Sequence, residues 1–200
     1  MKTMEKSEFE KLNAFGTGRD NTAYARYFIG RSYLNPLTKP QDGLAMSNVT
    51  FEPGCRNNWH IHHATVGGGQ MLICTAGEGW YQEEGKAPVS LKPGMVVAIP
   101  ANVKHWHGAK ADSWFSHIAF EIPGENGSTE WCEPVTDEVY NALSKENANR
   151  RANRPAGFCY AFFMSLPRRQ SPAKPAISAS AQPMGMASQI PVTPMTPDST

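Results

Sequence analysis

The sequence predicts an all-β barrel or sandwich followed by one short helix. Short β-prone runs recur through the middle of the chain, separated by Gly and Pro turns at intervals of about ten residues. Two histidine pairs, His60 with His62 and His105 with His107, have the i, i+2 spacing that puts side chains on one face of a strand. The period then changes over Pro134–Lys145, where a helix is expected. Closing such strands into a barrel removes exposed edges and leaves an interior wide enough for a small ligand.

In chain order, Ser7–Leu12 forms one or two helical turns with Ser7 as the cap. Tyr24–Leu34 is aromatic and β-prone, and Asn35-Pro36 stops it. Leu44–Glu52 is the first clear barrel strand, with Ser47, Val49 and Phe51 on one face and Pro53-Gly54 as its turn. Asn58–His62 carries the first histidine pair. Gln70–Ala76 follows the glycines Gly67, Gly68 and Gly69, with Gln70, Leu72 and Cys74 sharing a face. Gly77-Glu78-Gly79 breaks that run, Trp80–Glu83 continues it, and Gly85–Pro88 is a hairpin tip. After Pro93-Gly94, Met95–Ile99 is a short buried strand, and Ala101–Lys104 leads into His105. Trp114–Ile122 places His117, Ala119 and Glu121 on one face. Thr136 is the expected N-cap of the helix, with Asp137 and Glu138 complementing its dipole.

The organisation is therefore an N-terminal arm with a β-strand (1–43), a barrel (44–145) and a tail (146–200). Arg150, Arg151 and Arg154 precede an apolar run from Gly157 to Met164. Beyond Pro167 the chain is rich in Pro, Ser, Ala and Thr, too poor in apolar surface to offset the entropy of ordering, and is expected to be disordered.

At 200 residues the chain makes one domain, or one domain with appendages. A formal net charge of +1 gives no electrostatic case for nucleic acid or membrane as partner. The cysteines Cys55, Cys74, Cys132 and Cys159 form no C-x-x-C pair, so neither a zinc knuckle nor a redox dithiol is indicated, and Cys74 reads as a small buried hydrophobe. The charged start MKTMEKSEFEKL is not a signal peptide, and no apolar run reaches membrane-spanning length. A cytoplasmic protein with reduced thiols is expected.

Two imidazoles on one strand, a third from the second pair and the amide of Gln70 returning on a neighbouring strand can converge on one interior point. His60, His62, Gln70 and His105 are the candidate metal ligands, a donor set suited to Mn, Fe, Co, Ni or Zn. Four neutral donors leave the ion's double charge uncompensated, so a bound oxygen is strongly polarised. His63 alternates to the outside, as do the packing residues Trp59 and Trp106. His107 and His117 are candidates for proton transfer, or else core histidines that orient the ligands. Ser47, Val49, Phe51, Leu72 and Glu121 are expected to line a pocket for a small-molecule substrate.

The spacing Gly54-x5-His60-x-His62, then Gln70-x6-Gly77, then Gly94-x5-Pro100 with His105 resembles the two motifs of the cupins, with Gln70 where most carry Glu. Three features depart from the pattern: the longer gap between His62 and Gln70, Asn102 where Gly is common and Ala109 where Asn is common. The resemblance covers Ser47–Leu143 and is strongest to small bacterial cupins related to manganese-dependent hydroxynitrile lyases, which often sit beside carboxymuconolactone decarboxylase-like domains. It implies a jelly-roll barrel (a double-stranded β-helix), manganese as the foremost metal and a base at His107. It also implies an early strand that pairs with a second subunit, hence a homodimer or homotetramer. From the residues alone that strand could equally close its own barrel. Lyase-like chemistry on a metal-bound hydroxyl is the implied reaction. A metal-dependent oxygenase and a non-catalytic small-molecule-binding module remain open alternatives.

Overall fold

In a computed structural model, which describes residues 3–143, one short helix is followed by fifteen strands and a second helical stretch. Helix α1 is Lys6–Leu12. The strands begin with β1 (Arg19–Asp20), β2 (Phe28–Ile29), β3 (Ser32–Pro36), β4 (Ser47–Phe51) and β5 (Arg56–Asn57). They continue with β6 (His60–His63), β7 (Val66–Gly67), β8 (Gly69–Gly77), β9 (Gly79–Glu83) and β10 (Val89–Leu91). The last are β11 (Val96–Pro100), β12 (His105–Ala109), β13 (Phe115–Glu121), β14 (Gly124–Glu125) and β15 (Ser128–Trp131). Expectations for residues 146–200, Cys159 and the Gly157–Met164 run included, lie outside the described residues.

Among the described residues every strand pairing is antiparallel. One sheet runs β1-β3-β4-β13-β8-β11; a second runs β10-β9-β12-β5-β2, with β6 on β12 and β15 on β6; β14 and β7 pair as a two-stranded third. Inward residues of both sheets share one apolar core: Val49, Phe51, Leu72, Cys74 and Phe115 from the first, Tyr81, Leu91 and Ala109 from the second. The alternation along each strand supplies this inner face, as in other antiparallel barrels. No helix among the described residues is long and apolar enough to cross a membrane.

Several local expectations need correction. Helix α1 starts at Lys6, and its N-cap Glu5 makes no side-chain bond, so Ser7 is not the cap. What anchors it is Phe9, fully buried and stacked on Trp114 with ring centroids 5.4 Å apart. The run Tyr24–Leu34 is not one strand: residues 25–27 form a 3-10 turn, and β2 and β3 flank a break at Gly30. Gly30 has φ +87°, a conformation costly to any residue with a Cβ, and lies against Cys55. Strand β3 then pairs with β4 of its own chain and continues through Pro36 rather than stopping before it. Residues 123–133, for which the sequence suggested no strand, contain β14 and β15.

The turn after β8 is fixed by sterics. Gly77 has φ +69°, and a Cβ there would sit 1.8 Å from the Trp114 carbonyl oxygen. That close approach lets β8 and β13 stay paired to their ends, with Phe115 opposite Gly77 and Glu121 opposite Gln70.

Residues 137–143 are helical, and Thr136 caps them, its Oγ1 accepting from the Val139 N–H at 3.4 Å. The segment covers the outer face of β9 and β12. Trp80 and Trp106 point outward there, in alternation with inward Tyr81, His105 and His107, and cluster with Val135, Tyr140 and Leu143. Arg56 fastens the segment: its buried guanidinium donates to the Val135 carbonyl at 2.9 and 3.0 Å and to Asp137 at 2.5 Å.

Candidate metal centre

His60 on β6 lies directly opposite His105 on β12. His62, two residues along β6, returns to the same inner face. One ring nitrogen from each of the three lies within 4.8 Å of the others, and all three side chains are buried. Gln70 is the second residue of β8 in the facing sheet, and its Oε1 is 3.4 Å from His105 Nε2; it also reaches His60. Imidazoles from one sheet and an amide from the other thus meet between the sheets, as the spacing predicts.

Hydrogen bonds fix which nitrogen each ring presents. The Nδ1–H of His60 donates to the Asn58 carbonyl at 3.0 Å, and that of His105 donates to the Val103 carbonyl at 2.8 Å. His62 Nδ1 is 3.2 Å from Thr129 Oγ1 and 3.2 Å from Glu121 Oε1. Each ring therefore keeps its Nε2 lone pair for the interior. His62 Nε2 is buried and has no hydrogen-bond partner among the described residues. Burial holds His60 far below the usual imidazole range and pushes His105 down to about 4, so these rings are neutral at pH 7. Converging neutral lone pairs, one of them orphaned, beside an amide oxygen are a donor set that a divalent transition ion satisfies. The residues fit such an ion.

The centre opens on a cavity of about 690 Å³. Of the residues expected to line it, Ser47, Val49 and Glu121 do, together with His60, His62, Gln70 and His107. Phe51 and Leu72 do not: both are fully buried in the core beneath it. They share the inward face with Val49 and Gln70, but the deeper layer of the barrel is filled by side chains. His117 also misses the cavity wall. It is fully buried behind His107, its Nε2 3.1 Å from His107 Nδ1.

Asn57 sets the state of that pair. Its Oδ1 accepts the His107 backbone N–H at 2.9 Å, which turns its Nδ2 toward the His107 ring, 3.0 Å from Nε2. With Nε2 accepting, the His107 proton sits on Nδ1 and is donated to His117 Nε2. Burial lowers both rings, His107 far below the ordinary range and His117 to about 3.

His63 points outward, between Asn102 and Glu130, and the Glu130 carboxylate raises its pKa. Asn102 adopts φ +66° and donates to the Ala64 carbonyl, so the place where Gly is common is filled by the residue type that best tolerates this conformation.

The sequence reading missed Asn57, Thr129 and Trp131. Trp131 stacks on His60 at 4.9 Å and on Tyr27 at 4.4 Å, walling the cavity beside the first ligand. Thr129 and Trp131 gain their places only from pairing with β6, opposite His62 and His60. The alternation in S-T-E-W is the one local sign of that strand.

Comparison with known proteins agrees with this architecture. Residues 47–115 match the cupin domain. An (R)-mandelonitrile lyase of Granulicella tundricola is 38% identical over 132 residues, covering 65% of this chain and 98% of the relative. A cupin-like protein of Thermotoga maritima, known from its crystal structure, is 39% identical with a TM-score of 0.56, over 65% of this chain and 96% of that one. On its fold, its converging histidines and these matches, the chain belongs to the cupin superfamily.

Proposed function

We propose that the protein is a metal-dependent lyase that splits a small uncharged cyanohydrin, such as mandelonitrile, into an aldehyde and hydrogen cyanide. The observation that carries this reading is a buried, neutral His107 on the cavity wall beside the three converging imidazoles. The relative named (R)-mandelonitrile lyase, aligned over nearly its whole length, supports it.

His60, His62 and His105, with Gln70 completing the set, would hold the ion, with manganese the foremost candidate by resemblance. When bound, it supplies Lewis-acid polarisation of a substrate oxygen, and largely neutral donors leave it most of its charge. His107 Nε2, whose resting partner is the Asn57 amide, takes the substrate hydroxyl proton. Its Nδ1–H already faces His117 Nε2, so the positive charge that develops is shared with a second ring. The carbon–carbon bond breaks, its electron pair leaves with cyanide, and His107 returns the proton to give hydrogen cyanide.

The wall also speaks to the substrate. Among the described lining residues Glu121 is the one charged side chain, and there is no Lys or Arg. A carboxylate or phosphate group would find no countercharge there apart from the ion. Val49, Phe28, Leu34 and Trp131 offer apolar surface for the rest of the molecule.

The test is release of benzaldehyde and hydrogen cyanide from mandelonitrile by Mn2+-loaded protein. His107→Ala is expected to lose about 10²- to 10⁴-fold in turnover, the usual worth of a positioned acid–base group, with bound metal unchanged. Loaded wild type that is inert across a cyanohydrin panel contradicts the proposal.

A further inference from the structure

The three imidazoles are not held alike. The outer nitrogens of His60 and His105 donate to backbone carbonyls, of Asn58 and Val103, which no substitution removes. His62 alone is held by side chains. Its Nδ1 is 3.2 Å from Thr129 Oγ1, and the Thr129 hydroxyl donates to Glu121 Oε1 at 2.8 Å. The same carboxylate oxygen is 3.2 Å from Nδ1 itself. Imidazole, hydroxyl and carboxylate form a closed triangle.

Each corner comes from a different strand: His62 from β6, Thr129 from β15, where it lies opposite His62, and Glu121 from the end of β13, opposite Gln70. The imidazole is buried, while the Glu121 side chain is 67% exposed at the cavity wall. His62 is also the ligand candidate whose inner nitrogen finds no hydrogen-bond partner among the described residues. A carboxylate behind a ligating imidazole fixes its tautomer and its ring orientation.

We infer that Glu121, acting with Thr129, is a positioning residue that aims His62 Nε2 at the metal and lends the otherwise neutral ligand set a negative charge. This rests on the metal reading above and extends it to a residue outside the ligand set. The carboxylate commonly placed among cupin ligands is replaced here by Gln70; Glu121 restores a negative charge one imidazole further out.

The test is Mn2+ affinity, measured by competition with a chelator, together with the visible spectrum of Co2+-loaded protein. Glu121→Gln and Thr129→Val are each expected to weaken Mn2+ binding about 10- to 100-fold and to alter the Co2+ bands. Thr129→Ser, which keeps the hydroxyl, and Glu130→Gln, which removes the outward carboxylate on His63, are expected to match wild type. Glu121→Gln that binds Mn2+ within twofold of wild type, with an unchanged Co2+ spectrum, overturns the inference while leaving the metal centre standing. Wild type that binds neither ion removes the metal reading and this inference with it.

Discussion

Four of the buried side chains around the centre are imidazoles with depressed pKa values: His60, His105, His107 and His117. An unfolded chain protonates such rings near pH 6.5, and the folded one holds His105 neutral down to about 4 and His117 to about 3. Between those limits the unfolded state binds more protons, so stability falls as pH falls. Each pH unit in that window costs ~1.4 kcal/mol per fully depressed ring. Metal-free protein is therefore expected to lose several kcal/mol between pH 7 and pH 4, read as a falling urea midpoint. A midpoint that is flat over that range contradicts the burial of neutral rings. This was only half legible in the sequence. Parity along a strand says which face a side chain takes, and it brought His60, His62 and His105 together correctly. It does not say how deep in the barrel a residue sits. His117 shares the inward face with the cavity residues Ala119 and Glu121, yet lies a layer below them, behind His107.

The decisive alternation at the level of elements is in β12. His105 and His107 face inward, and Trp106 faces out beneath the 137–143 helical segment. Trp106 is fully buried on that side. Truncation to Ala is expected to cost ~3–5 kcal/mol, as for other large core side chains. Folded Trp106→Ala should nevertheless bind Mn2+ with near wild-type affinity, because the cavity it leaves lies on the far side of the strand from the ligands. Denaturation and metal titration on the same sample check both halves; lost affinity with unchanged stability would contradict this placement. The helix and its Thr136 cap were readable from local signals. The arm before the barrel was not, because Gly30 breaks an aromatic run that looks continuous, at a φ no propensity reveals. Strand β15 was missed for the opposite reason: four residues carry little pattern of their own, and only pairing with β6 brings Thr129 and Trp131 to the ligands.

For the whole molecule, two facing sheets divide the labour. One supplies three imidazoles, the other supplies the amide, most of the apolar floor and the Glu121 carboxylate behind His62. Motif spacing could foretell this meeting of sheets because the ligands keep fixed distances from the Gly and Pro residues of the motif: Gly54 for His60 and His62, Gly77 for Gln70 and Pro100 for His105. The shape of the cavity could not be foretold, since it depends on which inner-face residues the core consumes. Equilibrium dialysis against Mn2+, followed by elemental analysis of wild type and His60→Ala, tests the meeting of donors most directly. One ion per wild-type chain, lost in a folded His60→Ala, is the result expected. A wild-type chain that retains no ion, or a His60→Ala chain that holds it as well as wild type, contradicts the account.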